Sequence, residues 1–352
     1  MLLSRDLKDR ERDILKLMAQ GLTNNQIAKQ LYLARETVRW YNKQIYTKLG
    51  VHNRTHAVTR AQELGLLEQS GSIDNVPMPP VQYVKSDDAY IAYQVIGKGD
   101  VDIMFVEGFF SHLECEWEQP RCVWVFQRLA SQARIIRMDK RGVGLSDRVL
   151  DSPTLEQSVE DIRTVLDEVG SKKVVMIASC EGAPAACLAA TTYPERIQGL
   201  ILLNAIVKGS RTPDHPWAMP FDVYDYIFEN VRQEWGGPYA IDYFAPDADA
   251  QFRQWWAKYL RLAASPGIAL ESIGVMRDID MTAILPDVNV PTLVMHSRQN
   301  KVVRVESGRY TADHIPDARY VEIPGHSHLW WWDADPYLNE IETFIDHLND
   351  FV

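Results

Sequence analysis

The feature that most constrains this chain is a change of period near residue 82. Before it, apolar residues recur three and four positions apart; after it, short and almost uninterrupted apolar runs alternate with helix-period segments. The runs Ile103–Val106, Ile135–Met138, Val174–Ala178, Gly199–Leu203 and Thr292–His296 lack the in–out alternation of a half-solvated strand. Both of their faces must be covered, which is the situation of a parallel sheet dressed with helices. Tyr90–Val95 and Ala318–Ile323 read as further strands. From about 205 to 285 the strand pattern stops, and a stretch rich in Trp and Tyr reads as a helical cap inserted between strands. The expected architecture is therefore multidomain: an all-α module over residues 1–68, a linker over 69–81 rich in Ser, Gly, Asn and Pro, and an α/β domain over 82–352. A length of 352 residues suits two domains.

Charge divides at the same boundary. Residues 1–68 hold 12 Lys/Arg against 7 Asp/Glu, whereas the remainder holds 25 against 41, so a module of +5 precedes a body of −16. A basic module can meet phosphates while the acidic body cannot. The four cysteines, Cys115, Cys122, Cys180 and Cys187, form no CxxC pair and are too few for a disulfide framework. No apolar run approaches the ~20 residues that span a bilayer, and the N-terminus lacks the layout of a secretory signal, so a cytoplasmic protein without membrane partner is expected.

In the first module, Thr23 with Gln26 three residues later is a capping box that opens a helix carrying Ile27, Ala28 and Leu31, and Gly21 stops the helix before it. The next helix, Arg35–Leu49, turns Val38, Ile45 and Leu49 inward and is expected to expose Arg35, Thr37, Arg39, Trp40, Asn42, Lys43 and Lys48. A basic stripe of this kind is more often a solvated bundle face than a DNA reader. The runs Leu7–Leu15, Ala19–Ala28, Thr37–Trp40, Ile45–Val51 and Asn53–Thr55 nevertheless resemble the LuxR/GerE DNA-binding domain over the whole module. That resemblance implies that Arg35–Lys48 holds a recognition helix, with Arg35, Thr37, Arg39, Trp40, Lys43 and Lys48 facing operator DNA, and that two copies pair on a two-fold operator. Ala34 departs from the capping Ser usual before that helix, and Lys8 from a capping Thr.

In the α/β domain, Ala178-Ser179-Cys180-Glu181-Gly182 follows a strand and precedes an Ala-rich helix. This is a small-x-nucleophile-x-small turn with Cys180 at its apex, whereas Ser179 has its small neighbours out of place. Gly325-His326-Ser327-His328 follows the last strand and makes His328 the general-base candidate, with His326 second. The segment after Thr292–His296 offers Asn300 where an orienting acid usually stands. With Asp139–Asp147, Tyr193–Arg196 and Pro291–Val294, these segments resemble the α/β-hydrolase superfamily from about Val81 onward. The resemblance implies a catalytic set of Cys180, His328 and Asn300, oxyanion donors from the backbone of Phe109 and Glu181, and a ligand pocket touching Glu107, Phe110 and Trp331.

Three positions depart from the superfamily: Cys for Ser at 180, Asn for Asp at 300, and Glu107-Gly108 for His-Gly. Two expectations stand side by side. Cys180 is a thiolate paired with His328, which Asn300 orients by accepting its ring N–H; or it is an inert elbow residue in a pocket kept for binding. The first gives an ester, lactone or thioester hydrolase tethered to DNA. The second gives a transcriptional regulator that senses a small apolar or aromatic ester- or lactone-like molecule. An intermediate form captures an acyl ligand on Cys180. No cofactor and no metal are called for; operator DNA, a small-molecule ligand and a second copy of the chain are the expected partners.

Overall fold

The computed structural model describes residues 7–19, 22–63, 66, 77–149 and 153–349. The chain forms two compact units, Met1–Pro77 and Met78–Val352. The expected helix stop at Gly21 and most of the expected linker lie outside the described residues.

Among the described residues the first unit has four helices: α1 Asp9–Ala19, α2 Asn24–Leu31, α3 Arg35–Leu49 and α4 Arg54–Glu63. The capping box is present, with Thr23 Oγ1 accepting from the Gln26 N–H at 3.2 Å and Gln26 Oε1 accepting from the Thr23 N–H at 2.7 Å. Ala34 gives α3 no side-chain cap, and Gly50, at φ +67°, closes its other end in the left-handed region. Ile14, Leu15, Met18, Ile27, Val38, Ile45 and Ala57 fill the core between the helices.

In the second unit an eight-stranded sheet is built from β1 Gln82–Ser86, β2 Ala89–Ile96, β3 Val101–Val106, β4 Ala133–Met138, β5 Val174–Ser179, β6 Ile197–Leu203, β7 Thr292–Ser297 and β8 Arg319–Ile323. Their order is β1-β2-β4-β3-β5-β6-β7-β8, antiparallel at β1/β2 and β2/β4 and parallel elsewhere. β7 is buried along its whole length, which is what its continuous apolar sequence requires. β1 was not expected. It is a mostly exposed edge strand whose residues QYVKS carry no apolar period.

Helices α5 Pro120–Ala130, α6 Leu155–Glu168, α7 Ala183–Thr192, α12 Val305–His314 and α13 Asp335–Asn349 clothe the sheet. Between β6 and β7 stand α8 Phe221–Glu234, α9 Ile241–Phe244, α10 Ala250–Ala263 and α11 Pro266–Asp278, the helical insertion expected from the aromatic-rich stretch. The parallel strands all point their carboxyl ends one way. Residues just beyond β3, β5, β6, β7 and β8 therefore converge on one rim, where ligands of open α/β sheets bind. Those residues are Glu107, Cys180, Asn204, Asn300 and His328.

Candidate functional site

Cys180 sits at φ +50°, a left-handed conformation that costs a non-glycine residue about 1–3 kcal/mol. The sharp turn from β5 into α7 imposes it. Small neighbours make the turn possible, since a Cβ on Gly108 would lie 2.9 Å from the Cys180 Cβ, and one on Gly182 would run into the Val106 carbonyl. The elbow geometry of an acyl-transfer site is thus intact, with Cys180 at its apex as the spacing predicts. Ser179 has another task. Its hydroxyl accepts from the Gly108 N–H at 3.1 Å and donates to Glu107 Oε2 at 3.4 Å, fixing the loop after β3.

His328 is buried and held on all sides. Its N–H donates to the Phe244 carbonyl at 2.9 Å, its carbonyl accepts from Asn204 Nδ2 at 2.9 Å, and Phe244 meets its ring edge-on. Asn204, itself at φ +50°, also takes the Ser297 N–H at 2.8 Å and was not anticipated from the sequence. Asn300 does reach His328, with Nδ2 3.0 Å from the ring Nδ1. The direction of that bond corrects the sequence expectation. Asn300 Oδ1 already accepts two backbone N–H groups, from Val302 at 2.9 Å and Val303 at 3.2 Å. Flipping the amide would face its NH2 against two donors, so Nδ2 must be the group that points at the ring. An amide nitrogen only donates. Nδ1 therefore accepts, and the neutral ring carries its proton on Nε2, the opposite of the tautomer a general base needs.

The surroundings also disfavour a thiolate–imidazolium pair. Burial, and then the Glu181 carboxylate beside it, push the Cys180 thiol well above its usual range. Burial pushes His328 down to about 3. Among the described residues no hydrogen bond joins Cys180 Sγ to His328. The rim that would bear an oxyanion between Phe109 and Glu181 is crowded with acid: Glu181 Oε2 is buried with no hydrogen-bond partner among the described residues, and burial and the charge of Glu116 push the Glu107 carboxyl up to about 7. Lys140 Nζ donates to the Gly108 carbonyl and, at 3.4 Å, to that of Phe109. His326 stands apart, exposed and 2.9 Å from Asp247, so it is no alternative base.

Cys180, His328, Glu107, Phe109, Phe110 and Trp331 line one inner chamber of about 60 Å³. Asn300 stays behind His328 as its support. The chamber is small because the aromatic rings around it pack on one another: Phe252 lies 4.6 Å from Trp332 and Trp255 stacks on Tyr259 at 5.0 Å. Glu107 also borders a larger cleft of about 1010 Å³ that runs between α8, α11 and the loop after β4.

Two buried histidines make acid stability a test of this arrangement. His328 falls to about 3 and His296 to about 4, both through burial, against 6.5 ordinarily. Below pH 6.5 the unfolded chain therefore binds more protons than the native one, and stability falls as pH drops from 6.5 toward 4, by up to ~1.4 kcal/mol per unit and per group. Glu107 acts in the opposite sense between its ordinary value and its raised one, so the comparison is made between variants. His328→Gln is expected to flatten the decline of melting temperature between pH 7 and 4.5. A slope identical to that of the parent contradicts a neutral buried His328.

In the first unit, Arg35, Arg39, Trp40 and Lys43 are exposed on α3, and Thr37 is half-buried. Arg39 meets Glu36 at 3.2 Å, an exposed pair of little strength. Lys48 differs from expectation, since its ammonium lies 2.7 Å from the buried Glu11 of α1 and ties the bundle together. Asn42 is buried as well, donating to Asn24 Oδ1 at 2.9 Å.

Comparison with known protein families gives a match in each unit. Residues 5–61 match the family described as bacterial regulatory proteins, luxR family, and residues 103–335 match the alpha/beta hydrolase fold. The chain is 26% identical to a non-heme haloperoxidase of Rhodococcus erythropolis over 276 residues, which cover 74% of this chain and 97% of that protein. It is 47% identical over 58 residues to the DNA-binding transcriptional activator DevR/DosR of Mycobacterium tuberculosis, covering 16% of this chain and 27% of that one. Among solved structures, a bromoperoxidase from Bacillus anthracis superposes with a TM-score of 0.66 at 20% identity, over 76% of this chain and all of its own.

Proposed function

We propose, from the premise that this chain belongs to the alpha/beta hydrolase fold family and carries a luxR-family DNA-binding domain, that it is a ligand-responsive transcriptional regulator. In this reading α3 enters the major groove of operator DNA, and the chamber beneath Cys180 binds a small molecule without turning it over. Two copies act together on a two-fold site, as helix-turn-helix readers commonly do. The observation that carries the reading is the Asn300 Nδ2 donation to His328 Nδ1. A fold that keeps the elbow while reversing the proton on its histidine keeps a pocket and gives up its base. A tethered Cys-His-Asn hydrolase, the alternative, needs the other tautomer and a thiolate, and the surroundings of both groups favour neither.

Operators are first selected from random duplexes with the full chain, and affinity is then followed by fluorescence anisotropy with and without a panel of small neutral ligands. A ligand that shifts DNA affinity by fivefold or more supports sensing; indifference to every chamber-bound ligand removes it. On the DNA side, Arg39→Ala and Lys43→Ala should each weaken binding and lower the slope of log K against log salt by about 1. Lys48→Ala should leave that slope unchanged while lowering the stability of the helical unit. A slope that Arg39→Ala and Lys43→Ala both leave intact places the DNA elsewhere.

A further inference from the structure

The inner chamber offers a fixed pattern of hydrogen-bonding groups. His328 supplies a donor: Nδ1 accepts from Asn300, so the proton sits on Nε2, which no described residue bonds. Glu107 supplies an acceptor: among the described residues its carboxyl bonds only the Ser179 hydroxyl, at 3.4 Å, and it lines the chamber. Asn204, also on the wall, has both ends of its amide engaged, to the His328 carbonyl and the Ser297 N–H. Apolar rings such as Phe109, Phe244 and Trp256 make up much of the rest, and no Lys or Arg is among the lining residues.

Size and charge narrow the occupant. A chamber of about 60 Å³ has room for roughly four to six water-sized groups. An anion would meet Glu107 on the wall and Glu181 behind the elbow, while the nearby cations are already engaged, Arg137 by Glu116 and Lys140 by the Gly108 carbonyl. A cation would bring its charge against the Nε2–H of a neutral, buried imidazole. An ester supplies an acceptor for His328 but brings no donor to the Glu107 carboxylate beyond the long Ser179 hydroxyl contact, and unmatched buried polar groups are what such sites discriminate against.

We infer that the chamber binds the carboxamide head of a small neutral molecule, its carbonyl accepting from His328 Nε2–H and its N–H donating to Glu107. This rests on the reading of the chamber as a binding site and names the chemistry that site takes. The ester- or lactone-like ligand expected from the sequence is replaced by a group that both gives and accepts.

The test uses the full chain and four probes of matched size: propionamide, propionate, propylammonium and methyl acetate. Binding is followed by saturation-transfer NMR and by tryptophan fluorescence, since Trp256 and Trp331 wall the chamber. Propionamide is expected to bind at least about tenfold more tightly than each of the others. Glu107→Met and His328→Leu should each weaken it about tenfold or more, and the exposed His326→Ala should not change it. The inference is overturned if propionate, propylammonium or methyl acetate binds as well as propionamide, if the folded chain does not bind propionamide, or if both chamber variants retain the parent affinity. Anisotropy on selected operator DNA separates this from the regulatory reading. Propionamide that binds without altering DNA affinity keeps the carboxamide site and counts against sensing. DNA affinity that responds to another chamber ligand, with no propionamide binding, does the reverse.

Discussion

Esterase turnover is expected to emerge when Cys180→Ser and Asn300→Asp are combined in one chain. An aspartate at 300 can keep one oxygen on the Val302 and Val303 N–H groups, as Asn300 Oδ1 does now, and offer the other to His328. A carboxylate cannot donate, so the ring proton moves to Nδ1 and the Nε2 lone pair faces the chamber. Serine at the elbow then has a base to take its proton, and a hydroxyl needs that base more than a thiol does. In a serine protease triad, exchanging the acid for its amide costs about 10⁴ in kcat through this same tautomer inversion. Part of that gain is withheld here, because Glu107 and Glu181 crowd the rim where an oxyanion would form. The double variant should therefore hydrolyse p-nitrophenyl acetate about a hundredfold faster than the parent, with a rate that rises as pH passes the His328 pKa. Cys180→Ser alone should stay near the parent. If that single variant equals the double one, the orientation of Asn300 is not what keeps the site silent.

How far the site was legible depends on what residue identity encodes. The two-sided burial of β3, β5, β6 and β7 is written into continuous apolar runs, and the elbow into small residues two before and two after Cys180, so both were readable. The role of Asn300 was not, because an asparagine both donates and accepts; only the two N–H groups that follow it decide which end meets His328. Glu116 was missed for a similar reason. In the run CEWE a glutamate reads as a solvated turn residue, and its burial against Arg137 comes from a strand 21 residues on. The places of Lys48 and Asn42 follow from helix geometry. At about 100° per residue, Lys48 lies about 140° round from Lys43, off the face that Lys43 shares with Arg39. Asn42 sits four after Val38 and three before Ile45, on the buried stripe.

The second large effect concerns that buried pair. Arg137, from β4, is almost fully buried, joins Glu116 and lies with its guanidinium 4.0 Å above the Phe126 ring. Glu116 also takes the Tyr259 hydroxyl at 3.2 Å and the His112 N–H at 3.3 Å, so its carboxylate is bound into the chamber wall. Arg137→Met keeps most of the side-chain volume but strands that carboxylate, and removing one member of a buried pair costs about 3–5 kcal/mol. Urea denaturation should show this as a fall in midpoint without a change of slope. Adding Glu116→Gln removes the stranded charge while leaving acceptors for Tyr259 and His112, so the double variant should regain most of the loss. The same exchange bears on the chamber: Glu116 pushes the Glu107 carboxyl up and Arg137 draws it down, so the double variant removes two opposed influences together. Its affinity for propionamide should therefore stay within about threefold of the parent while the single Arg137→Met variant unfolds early. A double variant as unstable as the single one would locate the cost in lost packing over Phe126 and not in an uncompensated charge.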